Sequence, residues 1–347
     1  MKIIVDAMGG DNAPMAPVEG AIRAAETLET EITLVGRAEV ILSCIEKLGL
    51  KTLPKGVEIA HAEQVIEMED NPATAFKQKK DSSMTVGLEL LKQGRGDAFI
   101  SAGSTGALLS GATLLVKRVR GIRRAALAPV VPNANGSTVL IDCGATADCK
   151  PEYLLQYAFM GSFYAKRFLH IPEPRVGLLN IGAEPSKGLD LQRAAYALLT
   201  KADQEGRIHF AGNIEGREAI TEGVDVLVTD GFSGNIFLKT FEGTAKLFES
   251  MVKTMFTRKT KYKMAAMLMA EDLTAMRKIF DPSEIGGTAL LGISKPVIKA
   301  HGSSNAYAIT NAVRQAVLVA ESGLIDDITA NVEYMRLPAQ SAGTVEG

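Results

Sequence analysis

A loop near the start of the chain combines glycines with short polar side chains. It occupies residues 6–14, reads Asp-Ala-Met-Gly-Gly-Asp-Asn-Ala-Pro, and follows the apolar run Ile-Ile-Val. Glycines permit positive φ and let backbone amides approach a ligand closely, while the polar groups around them can orient it. The pattern predicts a substrate-binding loop whose candidate residues are Asp6, Gly9, Gly10, Asp11 and Asn12.

A second loop is suited to binding an anion. Residues 101–106, Ser-Ala-Gly-Ser-Thr-Gly, follow an apolar run and precede a helical pattern. Free amides, hydroxyl groups and the positive end of a helix dipole form a common phosphate site at such a junction. The candidates are Ser104, Thr105 and Gly106. An ordinary helix N-cap with turn glycines explains these residues equally well, so both interpretations stay open.

A third loop carries a lysine among small residues. Residues 180–188, Asn-Ile-Gly-Ala-Glu-Pro-Ser-Lys-Gly, also follow an apolar run, and they offer Asn180, Glu184 and Lys187. A lysine in so short a loop is either a solvated surface residue or a cation directed at a phosphate. The neighbouring glycines favour the second interpretation.

Further loops of the same kind occupy residues 142–148, 212–217 and 229–235, and the last of them supplies Asp230 and Asn235. Each loop alone is consistent with an ordinary turn, because Asx-Gly pairs are frequent in turns. In open α/β sheets, however, ligands bind outside the carboxyl ends of the strands. Five such loops besides 6–14, with carboxylates, amides and one central lysine, predict one composite site.

The elements that must position these loops are short apolar runs that alternate with helical patterns. Near-continuous apolar runs are typical of strands buried on both faces of a parallel sheet. The predicted strands are 2–6, 31–36, 57–60, 98–101, 138–142, 175–181, 208–211 and 224–230, and the predicted helices include 18–29, 38–48, 83–92 and 151–167. This alternation predicts an α/β fold with three layers, αβα, and a mostly parallel sheet. We expect a single α/β unit over residues 1–347, because no repeat or linker divides the chain.

Composition argues against several classes of protein. The formal net charge is -2 and tryptophan is absent, so nucleic-acid binding is not expected. The three cysteines form no paired framework, which indicates a reducing compartment. The sequence shows no signal-peptide pattern and no apolar run of the roughly 18 residues that a membrane span needs. We expect a cytoplasmic protein that at most contacts a membrane surface.

Common cofactor and catalytic motifs are missing from the sequence. There is no G-x-G-x-x-G after a strand, no P-loop motif and no G-x-S-x-G nucleophile elbow. The four histidines and three cysteines also lack metal-ligand spacing. We therefore expect neither a metal nor an organic cofactor.

Residues 241–280 depart from the alternation and show only helical pattern, which predicts a helical hairpin. An apolar stripe over 247–256 is consistent with a dimer interface or a core face. Four cations, Arg258, Lys259, Lys261 and Lys263, then precede the apolar run 264–270. Cations beside an apolar tip favour shallow insertion into an anionic membrane surface, through Met264, Met267 and Leu268. The tail after Pro338 is small and polar, and we expect it to be frayed.

The combination of loops resembles the phosphate acyltransferases of bacterial phospholipid synthesis. Residues 6–14 are similar to the hallmark of that family, and its other blocks are matched in order by 101–106, 142–148, 182–188, 212–217, 229–235 and 301–305. The resemblance covers nearly the whole chain. It implies transfer of a fatty acyl group from acyl-carrier protein to inorganic phosphate, giving acyl phosphate. It also implies a homodimer, no metal, and a fold related to phosphotransacetylases and to isocitrate and isopropylmalate dehydrogenases.

This reaction asks little proton chemistry of an enzyme, because phosphate is already anionic and a thiolate leaves readily. Positioning and oxyanion stabilisation can supply most of the catalysis. From residue type, Lys187 is expected to bind phosphate together with the 101–106 loop, and Asn235 to stabilise the oxyanion. Asp230 is expected to orient one of them. His301, in the matching block 301–305, is expected to contact substrate.

Other functions remain open from the sequence. A short-chain phosphate acyltransferase that uses a coenzyme A thioester would share the fold and the reaction type. An NAD-linked, metal-dependent dehydrogenase would share the fold class, but it needs metal-binding aspartates and an adenine site. A non-catalytic membrane scaffold for lipid synthesis is the alternative outside enzymes, and formation of acyl phosphate by the purified protein would eliminate it.

Overall fold

The structure, a computed structural model, describes residues 1–335. Its strands are β1 Lys2–Asp6, β2 Glu31–Gly36, β3 Val57–His61, β4 Ala98–Ser101, β5 Ala126–Ala128, β6 Val130–Asn133, β7 Gly136–Ile141, β8 Arg175–Asn180, β9 His209–Glu215, β10 Val226–Val228, β11 Gly287–Leu291 and β12 Val297–Ala300. Its α-helices are α1 Met15–Leu28, α2 Ala38–Lys47, α3 Ala75–Gln78, α4 Ser83–Lys92, α5 Thr105–Gly111, α6 Pro151–Phe168, α7 Asp190–Gln204, α8 Gly216–Thr221, α9 Gly231–Thr257, α10 Thr260–Leu268, α11 Ala270–Phe280, α12 Ala306–Glu321 and α13 Leu324–Ala330. A π-helical segment, Ala112–Val116, extends α5, and a 3₁₀ turn, Pro282–Glu284, follows α11. The tail expected after Pro338 lies outside the described residues.

The strands form two sheets rather than one. The first sheet has the order β3-β2-β1-β4-β12-β11-β5 and the second the order β6-β7-β10-β8-β9. Neighbours in the first sheet run parallel from β3 through β12, and β11 is antiparallel to both of its neighbours. In the second sheet only β6 is antiparallel to its neighbour. The chain passes from the first sheet to the second between β5 and β6, and it returns between α11 and β11.

Alternation along each strand places side chains on two helical layers. In β1, Ile3 and Val5 pack in one core cluster with α1, α6 and α12, whereas Ile4 packs in the other cluster with α4. The first cluster also contains Val139 and Val226 of the second sheet. One continuous core therefore covers the same face of both sheets, which gives the three layers.

The expected fold class, α/β with three layers and mostly parallel pairing, is confirmed, and most strand and helix predictions match to within a few residues. The sequence did not indicate β5, β6, β11 and β12. These strands are short, and polar residues or proline interrupt their apolar runs at Pro132, Thr288 and Lys299. These four strands lie where the chain passes between the sheets. Because the sequence did not indicate them, it did not predict the division into two sheets either.

The helical region differs in detail from the predicted hairpin over 241–280. Helix α9 begins at Gly231, ten residues earlier, and its 27 residues extend about 40 Å. Two shorter helices, α10 and α11, return the chain to the first sheet. Arg277 of α11 forms an ion pair with Glu249 of α9 at 3.0 Å, and the rings of Phe241 and Phe280 lie 6.1 Å apart. We call residues 231–280 the helical arm.

Candidate active site

A cleft of about 440 Å³ lies where the chain passes between the two sheets. One part of its wall comes from the β5–β6 passage and another from the return between α11 and β11. Loops at the carboxyl ends of β4 and β12 and the first turns of α9 complete it. The polar residues that line it are Thr105, Cys143, Asn235, Lys239, Glu242, Asp281, Thr288, Lys299 and His301, and the large apolar ones include Leu127, Val131, Leu238, Phe241, Ile279 and Phe280. The cleft thus has cations and hydroxyl groups as well as an extended apolar wall.

Lys299 is the largely buried cation of this cleft. It lies near the end of β12, where its backbone is in register with Ser101 of β4. Its Nζ donates to the carbonyl oxygen of Ala102 at 3.4 Å and to that of Ala300. Burial, and repulsion from Lys239, lower the pKa of Lys299 to about 8, while Asp11 and Asp6 act in the opposite direction. The ammonium group is held by neutral carbonyl oxygens, so its charge is available to an anion.

His301 follows directly after β12 and also lines the cleft. Its Nδ1 accepts a hydrogen bond from the backbone amide of Ser303 at 3.2 Å and lies 2.8 Å from the hydroxyl of the same residue. Burial, and repulsion from Lys239, lower the pKa of His301. Because an amide donates to Nδ1, the neutral ring carries its proton on Nε2. The ring is therefore able to donate one hydrogen bond to a substrate.

The loop 6–14 supports this site through contacts with other loops. The carboxylate of Asp6, which is buried, accepts from the hydroxyl of Ser101 at 2.6 Å and from the amide of Met8 at 3.1 Å. Burial raises the pKa of Asp6, and hydrogen bonds from Ser101 and Ser83 oppose that rise. An added Cβ at Gly9 would lie 2.8 Å from the amide nitrogen of Gly103. These contacts fix the 101–106 loop against the end of β1.

The same loop also holds the segment 301–305. The amide of Asp11 donates to the carbonyl of Gly302 at 2.8 Å, and the side-chain amide of Asn12 donates to the carbonyls of Ser303 at 3.0 Å and Ser304 at 3.2 Å. Gly10 has a φ of +101°, and an added Cβ there would lie 3.0 Å from the oxygen of Gly302. Only glycine satisfies both conditions.

Residues 142–148 pack against the first turn of α9. The buried carboxylate of Asp142 accepts from the amides of Leu127, Ala145 and Thr146 at 2.7–3.1 Å, and burial raises its pKa to about 6. Leu127 belongs to the first sheet and Asp142 follows a strand of the second, so this carboxylate joins the sheets below the cleft.

Two predicted catalytic residues lie at the start of the helical arm. Asp230 is buried and caps α9, because its carboxylate accepts from the amide of Ser233 at 2.9 Å. Asn235 lies one turn further along and lines the cleft opposite Gly144, where an added Cβ would lie 3.8 Å from the Asn235 side chain. Asp230 thus orients the helix turn that presents Asn235.

The loop with Lys187 lies at the end of β8 in the second sheet. The side-chain amide of Asn180 donates to the carbonyl of Lys187 at 3.1 Å, and the buried Asn213 donates to the carbonyl of Glu184 at 2.9 Å. The loop backbone is therefore fixed, but the side chains of Glu184 and Lys187 are exposed. Lys187 is not among the residues that line the cleft.

The structure therefore brings together only part of the predicted set. Thr105, Asn235 and His301 line one cleft, with Ser104 capping α5 and Gly106 in its first turn. Asn180, Glu184 and Lys187 lie in the separate loop at the second sheet, and substrate contact by them stays a prediction. Sequence reasoning missed Lys299 and Lys239. A lone lysine in the run Val-Ile-Lys-Ala was the available signal for Lys299.

The predicted membrane residues are exposed near the junction of α10 and α11. The exposed fraction is 62% for Met264, 76% for Met267 and 90% for Leu268. No helix within residues 1–335 is both long enough and apolar enough to span a membrane. Nor does that part of the chain contain a group of three or more His, Cys, Asp or Glu side chains placed to hold a metal ion.

Comparison with known proteins gives a consistent result. The family model described as fatty acid synthesis protein matches residues 1–327. A phosphate acyltransferase from Thermoanaerobacterium thermosaccharolyticum is 44% identical over 335 residues, which cover 96% of this chain and 98% of the relative. Among solved structures, a phosphotransacetylase from Streptococcus pyogenes has a TM-score of 0.59 at 19% identity and covers 94% of each chain. The 4-hydroxythreonine-4-phosphate dehydrogenase from Klebsiella pneumoniae has a TM-score of 0.52 at 11% identity, with 92% of this chain and 99% of that chain covered.

The two structural similarities concern the fold alone and confirm the expected kinship with phosphotransacetylases and with a dehydrogenase-like fold. The similarity in sequence goes further, because it extends over nearly the full length of both chains. The chain therefore belongs to the phosphate acyltransferase family of fatty acid synthesis proteins, and it is an acyltransferase.

Proposed function

We propose that this acyltransferase moves a fatty acyl group from the thioester of acyl-carrier protein to inorganic phosphate, giving acyl phosphate for phospholipid synthesis. The observation that carries the proposal is the division of the cleft into a polar end, with the cation Lys299 and the N–H donor His301, and an apolar wall. A phosphate suits the first and an acyl chain suits the second. The name of the relatives, phosphate acyltransferase, supports the same pair of groups.

In the proposed reaction a phosphate oxygen attacks the carbonyl carbon of the thioester. The tetrahedral intermediate then breaks its carbon–sulfur bond, and the electron pair leaves with the carrier thiolate. Ser104, Thr105 and Gly106 bind the phosphate, and Lys187 approaches it from the second sheet. Asn235 donates to the oxyanion, and Asp230 keeps the first turn of α9 in place.

The apolar space is larger than a two-carbon acyl group requires. Two neighbouring cavities lie along α9 and share Ala245 and Phe280 with the cleft: one of about 750 Å³ with a mostly apolar lining, and one of about 470 Å³ whose lining also carries charged residues such as Lys246 and Arg277. Phe248 lines both of them. This extent favours a fatty acyl group over the acetyl-type substrate of a short-chain enzyme that uses coenzyme A.

The helical arm supports two further parts of the proposal. Exposed apolar side chains on α9, among them Leu247, Met251 and Met255, suit a homodimer interface. The exposed Met264, Met267 and Leu268 follow four cations and suit an anionic membrane surface. We propose that the protein works in the cytoplasm, at the inner face of the cell membrane, where a lipid-soluble product is consumed.

The decisive experiment measures acyl phosphate made by the purified protein. Palmitoyl-acyl-carrier protein and phosphate are supplied, the product is trapped with hydroxylamine, and the hydroxamate is quantified by mass spectrometry. Parallel reactions use palmitoyl-coenzyme A and acetyl-coenzyme A at equal concentrations. We expect turnover to be fastest with the carrier protein and to depend on phosphate.

Each alternative has its own outcome in that assay. Equal or faster turnover with acetyl-coenzyme A would identify a short-chain phosphate acyltransferase. Absence of acyl phosphate with every donor, in a protein that still binds vesicles, would identify a non-catalytic scaffold and overturn the proposal.

A further inference from the structure

We infer that Lys299 is the cation that binds the transferred phosphate in the cleft. The inference rests on the proposed function and assigns a residue that the loop motifs did not indicate. The main evidence is the position of Lys299, the largely buried lysine of the cleft wall. Its Nζ lies among the carbonyls at the carboxyl ends of β4 and β12. Ligands of open α/β folds bind at that end of the strands.

The hydrogen bonds of Lys299 leave its charge uncompensated at close range. Nζ donates to the carbonyls of Ala102 and Ala300, and no carboxylate oxygen within residues 1–335 lies within 4.0 Å of it. The carboxylate of Asp6 is occupied by Ser101 and by the amide of Met8. A buried cation without a paired anion is costly unless a ligand supplies the anion, and phosphate would do so.

The neighbours of Lys299 complete an anion site rather than a general polar surface. Thr105 offers a hydroxyl from the end of the 101–106 loop, and His301 offers Nε2–H two residues beyond Lys299. Lys239 adds a second cation from α9, although Glu242 pairs with it at 2.8 Å. Hydroxyl, ring N–H and ammonium donors around one space match the oxygens of a phosphate.

The proposed role of Lys299 follows from its positive charge. Phosphate must approach the thioester carbonyl while negative charge builds on the carbonyl oxygen. An ammonium group beside the phosphate reduces the repulsion between them, and it holds the attacking oxygen near the carbonyl carbon. Removal of this group should therefore weaken phosphate binding more than binding of the acyl donor.

Lys299→Met tests the assignment because it keeps an unbranched side chain that is only one heavy atom shorter and removes the charge. We expect the KM for phosphate to rise at least about tenfold, with little change in the KM for palmitoyl-acyl-carrier protein. Lys299→Arg should recover most of the loss. Lys295→Met is the matched control, since it removes a lysine that lies two residues before the same strand begins and outside the cleft lining.

The pH dependence of kcat/KM for phosphate distinguishes phosphate binding by Lys299 from a purely structural role, which would leave this dependence unchanged. The groups that act on Lys299 are Lys239 from α9, and Asp6 and Asp11 from β1 and its loop; His301, two residues on, lies in the same cleft. The pKa of Lys299 is about 8, so kcat/KM for phosphate should fall above about pH 8 as the amine loses its proton. In Lys299→Arg that fall should move to higher pH, because arginine stays protonated. Ionisation of free phosphate affects both proteins equally.

The outcomes separate this inference from the proposed function. If the wild-type protein makes no acyl phosphate, the proposed function fails, and binding of phosphate alone, measured as a rise in Tm with phosphate, then tests the site. That rise should be present in the wild type and in Lys299→Arg and absent in Lys299→Met. If the wild type is active and Lys299→Met keeps its phosphate KM within about twofold, or raises both KM values equally, Lys299 does not bind the phosphate. If Lys299→Met does not fold, Lys299→Arg provides the test. The inference is overturned if kcat/KM for phosphate falls at the same pH in Lys299→Arg as in the wild type.

Discussion

The two sheets end in similar loops, yet they present their lysines differently. Each sheet places a buried carboxylate at a strand end, Asp6 in the first and Asp142 in the second, and each carboxylate fixes a neighbouring loop. At the first sheet, Lys299 is largely buried in the cleft wall. At the second sheet, Lys187 is exposed on a fixed loop outside that wall.

The two lysines carry the same charge, but their different exposure gives their contacts with an anion different strengths. An exposed ammonium group is solvated and screened, so it contributes little unless substrate binding removes water from it. A largely buried one has already lost much of its water and gains more from an anion. We therefore expect Lys299 to bind the phosphate itself, and Lys187 to contribute only when a bound substrate covers it.

The largest effect that tests this comparison is expected for Lys187→Ala. If the loop closes on bound substrates, the variant loses charge-assisted hydrogen bonds of roughly 1.5–3 kcal/mol each, and kcat should fall about ten- to a hundredfold. The KM for phosphate should change less than in Lys299→Met. The measurement is steady-state kinetics with each substrate varied in turn.

Lys201→Ala, an exchange on α7 outside the cleft lining, serves as the control for Lys187→Ala. Turnover of Lys187→Ala at close to the wild-type rate would show that the second-sheet loop is not needed. The residues that line the cleft would then form the active site without that loop.

Sequence patterns predicted the loops better than they predicted the site. Loops 6–14 and 101–106 were found because glycines and short polar residues cluster in the sequence, and both lie beside the cleft. Lys299 was not found because a single lysine in a short strand has no local pattern. Its importance depends on burial between β4, α9 and the 301–305 loop, which only the assembled fold decides.

Gly106→Val probes the first-sheet side of the comparison. An added Cβ at Gly106 would lie 2.8 Å from Cβ of Pro72, so the first turn of α5 must shift. Because Thr105 lines the cleft next to Gly106, the KM for phosphate should rise several-fold more than the KM for the acyl donor. An equal rise in both, together with a lower Tm, would indicate general misfolding instead.

A smaller effect connects the two sides, because Lys239 lies on α9, the helix that follows strand β10 of the second sheet, and lines the same cleft as Lys299. Its repulsion contributes to the low pKa of Lys299. In Lys239→Met the pKa of Lys299 should rise, and the alkaline limb of kcat/KM for phosphate should move up by about half a pH unit. Lys278→Met on α11, outside the lining of the cleft and of both neighbouring cavities, is the control. An unmoved limb in Lys239→Met would mean that Lys299 does not set the pH dependence.

The smallest effect on turnover is expected at the far end of the helical arm. Leu268 is 90% exposed at the end of α10 and follows the cations 258–263, so it lies on neither side of the cleft. Leu268→Glu should lower binding to vesicles of anionic lipid several-fold, because a carboxylate opposes both apolar insertion and the lipid charge. Soluble turnover and dimer mass should stay at wild-type values. Leu318→Glu on α12, also an exposed leucine, is the control. Loss of the dimer in Leu268→Glu would assign the tip to a protein interface, and unchanged vesicle binding would remove the tip from any membrane contact.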